Sequence, residues 1–153
     1  MHREKHRWGR LLFWAYSIWM LWLLFGQRIG YDHGASFQEY LARTVNLKPF
    51  KTIGNYWYVV WRTSDWEQIR HIVINLVGNV IMFVPLGFFL PLNWEKVCGF
   101  VKWLAVVVGV ITAIEVLQML TRLGSLDVDD LILNLAGSAA GYGLYKLIKK
   151  PDC

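Results

Sequence analysis

Two apolar segments and an acidic turn meet in the stretch EVLQMLTRLGSLDVDDLILNLAGSAAGY, residues 115–142. The first segment carries Glu115 and Gln118 near its end, and the second begins directly after Asp127 and Asp130. A carboxylate or amide in hydrocarbon costs a few kcal/mol unless another group pairs with it. We therefore expect two membrane helices, joined by a short turn, whose polar side chains satisfy one another near one face of the bilayer.

The whole chain alternates in the same way between apolar runs and charged connections. Of its 153 residues, 56% are hydrophobic and 18% are charged. This distribution is typical of a protein that crosses the bilayer several times. We predict an all-α, polytopic membrane helix bundle in a single domain, residues 1–153. About four transmembrane helices are expected, at about 8–25, 69–92, 100–120 and 131–148.

The long connection at 27–68 is rich in aromatic residues. It contains NYWYVVW at 55–61, and Tyr and Trp at this density favour the headgroup region of a membrane. An interfacial helix, a strand-like cover and a shallow re-entrant segment all fit this pattern.

The distribution of Lys and Arg predicts the orientation of the chain. The N-terminal flank, the connection at 93–102 and the C-terminal end are basic, so we expect both termini in the cytoplasm. The net charge of +5 lies mainly in such flanks and does not indicate nucleic-acid binding.

Cys98 and Cys153 have no metal-ligand spacing, and we expect neither a disulfide framework nor a zinc site. A reducing compartment suits this expectation.

Polar side chains recur at helical spacing on three of the predicted helices. Residues three or four apart lie on one face of a helix, so each set forms an inward stripe. At a rise of about 1.5 Å per residue, the sets lie at similar depth in the outer half of the bilayer. We therefore predict a common polar pocket. The stripes are His71, Asn75 and Asn79 on the second helix, Glu115 and Gln118 on the third, and Asp127, Asp130 and Asn134 on the fourth.

Several of these residues also have a structural explanation. Asp127 can cap the fourth helix, and Asn75 and Asn79 can hold helices together by hydrogen bonds. Gly137 and Gly141, four residues apart, favour close helix packing.

Glu115 is the hardest of the candidates to explain structurally. No Lys or Arg lies within one helical turn of it. It must meet a distant cation such as Arg122 or Arg70, remain protonated, or bind a metal ion.

Three stretches of the chain resemble the signature blocks of the VanZ-like family. They are NLKPFKTI at 46–53, NLVGNVIMFVPLGFFLP at 75–91, and the stretch at 115–142. The third block is the most specific, with E-x-x-Q followed by D-x-D-D-x-x-x-N-x-x-G. The family's best-known member is associated with resistance to glycopeptide antibiotics, especially teicoplanin. The resemblance implies a small multi-pass protein of the bacterial cell membrane, without a settled biochemical activity.

One hypothesis for the function is a non-enzymatic binder. Its polar pocket would hold a membrane lipid or a cell-wall precursor, which is the partner we expect. Nucleic acid is not an expected partner, and faces of small residues permit a homo-oligomer. The ligand-binding candidates are Asn75, Asn79, Gln118, Asn134 and His71.

The alternative hypothesis is an intramembrane enzyme that acts on an envelope lipid or a lipid-linked sugar. Acid–base catalysis requires carboxyl groups in different environments, and Glu115, Asp130 and Asp127 are the catalytic candidates. Asp127, Asp129 and Asp130 are the metal candidates if a divalent cation takes part; no other cofactor is expected. The sequence contains no Ser–His–Asp order, phosphate-binding loop or metal motif that would favour this hypothesis.

Overall fold

The computed structural model describes residues 2–26 and 36–149, with the backbone alone described for residues 2–6. The predicted membrane helix bundle is confirmed. Within the described ranges, three helical segments are long and apolar enough to cross a membrane: Arg7–Phe25, Trp66–Asn93 and Phe100–Leu120. The described helices are α1 (His2–Phe25), α2 (Phe37–Thr44), α3 (Lys51–Arg62), α4 (Trp66–Asn93), α5 (Phe100–Leu120) and α6 (Val128–Ile148).

The helix α6 packs closely along α4, and glycines make this possible. A Cβ atom added at Gly137 would lie 2.0 Å from the carbonyl oxygen of Val80, and one at Gly141 would lie 1.9 Å from that of Val84. Only glycine permits such close contact between two helix backbones. The expected packing role of Gly137 and Gly141 is confirmed.

The helix α4 continues through Pro85. Proline lacks the N–H that would bond the carbonyl four residues earlier, and neighbouring helices bond other carbonyls in this turn. Tyr16 of α1 donates to the Met82 carbonyl oxygen at 2.7 Å, and Ser138 of α6 donates to that of Phe83 at 3.3 Å. These bonds attach the middle of α4 to α1 and to α6.

The segment 36–62 covers the end of the bundle where α4 begins, α5 ends and α6 begins, which we call the polar end. Strand β1 (Val45–Asn46) pairs in parallel with strand β2 (Leu126–Asp127), directly before α6. The aromatic run at 55–61 lies in α3, so the strand-like alternative is excluded. Trp57 and Trp61 of α3 are 68% and 71% exposed. Residues 27–35 of this connection lie outside the described residues.

The expectation of no disulfide is wrong at Cys98, which is disulfide-bonded; Cys153 lies outside the described residues. The helices α5 and α6 run antiparallel, so the later part of α6 lies beside the beginning of α5. Tyr142 of α6 accordingly donates to the Cys98 carbonyl oxygen at 2.8 Å. The cysteines therefore no longer support the assignment of Cys98 to a reducing compartment. The predicted cytoplasmic position of both termini depends on the basic flanks alone.

Candidate functional site

Asp129 is fully buried and holds the beginning of α3 in place. Its carboxylate accepts the backbone N–H groups of Phe50, Thr52 (2.8 Å) and Ile53 (3.1 Å). Phe50 is the N-cap residue of α3, has a left-handed backbone (φ 62°) and makes no side-chain cap bond. Asp129 therefore supplies from α6 the acceptor that a helix N-terminus normally finds in its own N-cap residue.

Asp127 joins the same loop to α6. Its Oδ1 accepts the backbone N–H of Asp129 at 2.9 Å, which confirms the expected cap of α6. Asp127 Oδ2 accepts a hydrogen bond from Thr52 Oγ1 at 2.6 Å, and Oδ1 accepts a second one from Asn46 Nδ2 at 3.1 Å. Thr52 and Asn46 were not named as partners, although both lie in the block at 46–53.

Asp130 faces α4 and α3. Its Oδ1 accepts a hydrogen bond from Asn79 Nδ2 at 2.7 Å, as expected if polar stripes of different helices meet. Tyr56 of α3 lies near this carboxylate. Burial, and after it the negative charges of Asp130 and Asp127, raise the pKa of Tyr56.

The polar residues of α5 are turned into the bundle. Glu115 is 3% exposed, and its Oε1 accepts a hydrogen bond from Asn134 Nδ2 of α6 at 3.2 Å. Gln118 donates to the Leu24 carbonyl oxygen of α1 at 3.1 Å. Asn134 of the Glu115 contact and Asp130 of the Asn79 contact lie four residues apart on α6, while Gln118 connects α5 to α1.

The cations that were considered for Glu115 have other neighbours. Arg70 makes an exposed ion pair with Glu67 at 2.7 Å. The Arg122 guanidinium lies 5.4 Å above the ring of Phe37 and 5.8 Å above that of Tyr40. A cation over an aromatic face is attracted by the ring, so Arg122 helps attach α2 to the turn between α5 and α6.

A cleft of about 720 Å³ lies between α1 and α4. His71, Asn75 and Asn79 are its polar lining, so the α4 stripe predicted from the sequence does face a cavity. The acidic candidates and Gln118 and Asn134 are not part of this lining. Its apolar lining includes Trp19 and Leu23 of α1 and Val73, Ile74, Val77, Ile81, Met82 and Pro85 of α4.

Asn75 is the most distinctive polar group in the cleft. Its Oδ1 is buried and has no hydrogen-bond partner among the described residues. A buried polar atom usually has a partner, so a hydrogen-bond donor placed beside this oxygen would satisfy it.

The three metal candidates each bind different protein groups. Asp129 accepts from the start of α3, Asp127 from Thr52, Asn46 and the start of α6, and Asp130 from Asn79. Among residues 2–26 and 36–149, no group of three or more His, Cys, Asp or Glu side chains is arranged to hold a metal ion.

A bundle of long apolar helices with a buried polar end defines a small integral membrane protein. A model of the VanZ/LLP1 family matches residues 13–149, and the chain therefore belongs to this family, as its signature blocks suggested. It is 28% identical to Protein VanZ of Enterococcus faecium over 135 residues, which are 88% of this chain and 71% of that protein. No solved structure matches the chain.

Proposed function

We propose that this protein binds an envelope lipid or a lipid-linked cell-wall precursor in the cleft between α1 and α4. The cleft would open in the outer leaflet of the bacterial cell membrane, with both termini in the cytoplasm. Such binding would contribute to resistance against glycopeptide antibiotics, especially teicoplanin, as the family resemblance implies. The antibiotic's target would be masked or moved, or the lipid tail of the antibiotic would be excluded.

The observation that carries the proposal is the lining of this cleft. Its volume of about 720 Å³ lies within the range of pockets that hold small ligands. Most of its wall is apolar, and its polar groups are confined to His71, Asn75 and Asn79. An amphiphile with one apolar and one polar part matches a cavity of this composition.

The contacts of the aspartates also favour a binder over an enzyme. Asp127 and Asp129 are 7% and 0% exposed, and their oxygens accept hydrogen bonds from the loop before α3 and from helix N-termini. A general base must have an oxygen within hydrogen-bond reach of its substrate. Substrate could reach these oxygens only if the protein contacts were first broken.

A cleft-filling substitution tests the proposed function. Ile81 lines the cleft and is 63% exposed, so Ile81→Trp should occupy the space of the ligand without disturbing the buried core. The matched control is Val101→Trp on α5, at a position that is 77% exposed and outside the cleft. The full chain is expressed in a teicoplanin-susceptible host, and lipids that co-purify with it are measured by mass spectrometry.

We expect Ile81→Trp to lose both the co-purifying lipid and any protection against teicoplanin, while Val101→Trp keeps both. Equal lipid content in the parent and in Ile81→Trp would contradict binding in this cleft. Lipid loss without a change in teicoplanin susceptibility would separate lipid binding from resistance.

A further inference from the structure

The cleft wall on α4 changes character in a definite order. From Pro85 to Ile81 the wall is apolar; Asn79, Asn75 and His71 then follow toward the start of the helix, with Val73, Ile74 and Val77 between them. At a rise of about 1.5 Å per residue, the distance from Pro85 to His71 is roughly 21 Å, and Asn75 lies about 6 Å deeper than His71. A bound amphiphile therefore meets a purely apolar wall first, and beyond it two amides and the His71 imidazole among apolar side chains.

At the depth of Asn75, the cleft requires a hydrogen-bond donor in the ligand. Asn75 Oδ1 is buried without a partner among the described residues. A ligand group that donates to Asn75 would remove the unfavourable burial of an unpaired acceptor.

The donor that fits this position is a neutral hydroxyl. The cleft lining contains no Asp or Glu, and an ammonium group removed from water needs a carboxylate beside it. A hydroxyl carries no charge and makes a single directed bond to an amide oxygen.

Beyond that hydroxyl, an anionic group suits the surroundings of His71 and Arg70. His71 lines the cleft, and Arg70 is its neighbour in the helix. Arg70 is half exposed in its pair with Glu67, and exposed ion pairs are weak enough to exchange partners. Arginine is well suited to bind phosphate oxygens.

We propose that the cleft selects a lysophospholipid, an amphiphile with one acyl chain, a free glycerol hydroxyl and a phosphate. Its chain would lie along Ile81 and Pro85, its hydroxyl would donate to Asn75 Oδ1, and its phosphate would lie beside His71 and Arg70. In a diacyl phospholipid the oxygen of this hydroxyl is esterified as well. Such a lipid therefore presents only hydrogen-bond acceptors at the depth of Asn75. This inference rests on the proposed function and specifies the ligand of the same cleft.

Two probes that differ by a single hydroxyl test the inference. They are 1-oleoyl-lysophosphatidic acid and 3-(oleoyloxy)propyl phosphate, which has the same chain and phosphate but no hydroxyl. Dioleoyl-phosphatidic acid, in which that hydroxyl is esterified, is the third probe. Binding to the purified full chain in detergent is measured by native mass spectrometry.

We expect the parent to favour the hydroxyl-bearing probe over the deoxy probe by roughly two- to twelve-fold, the ratio that one net hydrogen bond supplies. Asn75→Leu should abolish this preference while the deoxy probe still binds. The control Thr112→Leu, an exposed polar position within α5, should keep it.

The parent alone decides the inference, even if Asn75→Leu does not fold. Equal binding of the first two probes by the parent, or tighter binding of dioleoyl-phosphatidic acid, would overturn the selection of a lysophospholipid. If Ile81→Trp still weakened all three probes in that case, binding in the cleft would stand without the hydroxyl preference. Binding that is unaffected by Ile81→Trp would remove the proposed function as well. A preference that persists in Asn75→Leu would overturn the assignment of Asn75 as the acceptor.

Discussion

Replacing Asp129 should release the start of α3 from the bundle. In the folded protein its carboxylate accepts three backbone N–H groups, those of Phe50, Thr52 and Ile53. Asp129→Ala removes every one of these acceptors. Asp129→Asn keeps the volume of the side chain but turns an NH₂ donor toward groups that are themselves donors, so it should act in the same direction.

The size of the effect follows from the type of hydrogen bond. A bond to a charged group contributes about 1.5–3 kcal/mol net. Three such bonds that share one carboxylate do not add fully, because they act on a single loop. We therefore expect the free energy of opening the first turn of α3 to fall by roughly 3–5 kcal/mol, which corresponds to a loss of at least about 100-fold in amide protection.

Hydrogen–deuterium exchange of the reconstituted protein measures this effect directly. Both variants should exchange faster at residues 50–53 and throughout α3, while the middle of α4 keeps its protection. Asp65→Ala is the matched control, because Asp65 is an exposed N-cap aspartate that accepts one N–H group, that of Glu67, at the start of α4. It should cost about 0.5–2 kcal/mol at α4 and nothing at α3. Unchanged exchange of α3 in Asp129→Ala would refute the role of Asp129 as the cap of this helix.

Two further predictions concern the contacts of α6. Gly141→Leu should lower the thermal stability of the purified protein by more than the 1–3 kcal/mol typical of overpacking, because even a Cβ there would lie 1.9 Å from the Val84 carbonyl oxygen; Gly143→Leu, where a Cβ meets nothing within 4 Å, should have little effect. Asn134→Leu removes the donor 3.2 Å from Glu115 Oε1 and should cost about 1–3 kcal/mol. The double variant Glu115→Leu/Asn134→Leu should be less destabilised than the sum of its single variants, by about 0.5–3 kcal/mol. Strict additivity in thermal unfolding would show that the two side chains do not interact.

Helical periodicity placed on inward stripes the four residues that make two of the observed contacts between helices, and it did not reveal that His71 and Asn75 border a cleft. The Asn79–Asp130 and Glu115–Asn134 contacts involve residues that the spacing placed on inward stripes. Spacing defines a face of each helix, and an apolar environment forces polar groups on such faces to find one another. Which stripe would also border a cavity depended on how α1 approaches α4, and no spacing within one helix carries that information.

Helical periodicity could not predict that Asp129 caps α3. Asp129 is not on the stripe of Asp127 and Asp130, and its partners are backbone N–H groups more than 70 positions earlier in the chain (a separation that side-chain patterns do not record). Backbone donors exist at every residue except proline. Tertiary structure therefore determines which backbone N–H groups Asp129 contacts, here through the parallel pairing of β1 with β2.

The separation between the aspartates and the cleft determines how loss-of-function variants should be interpreted. Asp127 and Asp129 hold α3 and α6 together, so a displaced α3 is sufficient to explain a loss of activity on their substitution. Asn75 and His71 line the cleft, and Asn75 Oδ1 has no hydrogen-bond partner among the described residues. Their substitution can change ligand binding while α3 keeps its amide protection. Ligand specificity should therefore be sought at the cleft, and a catalytic role for an aspartate would require activity loss in a variant whose α3 remains protected.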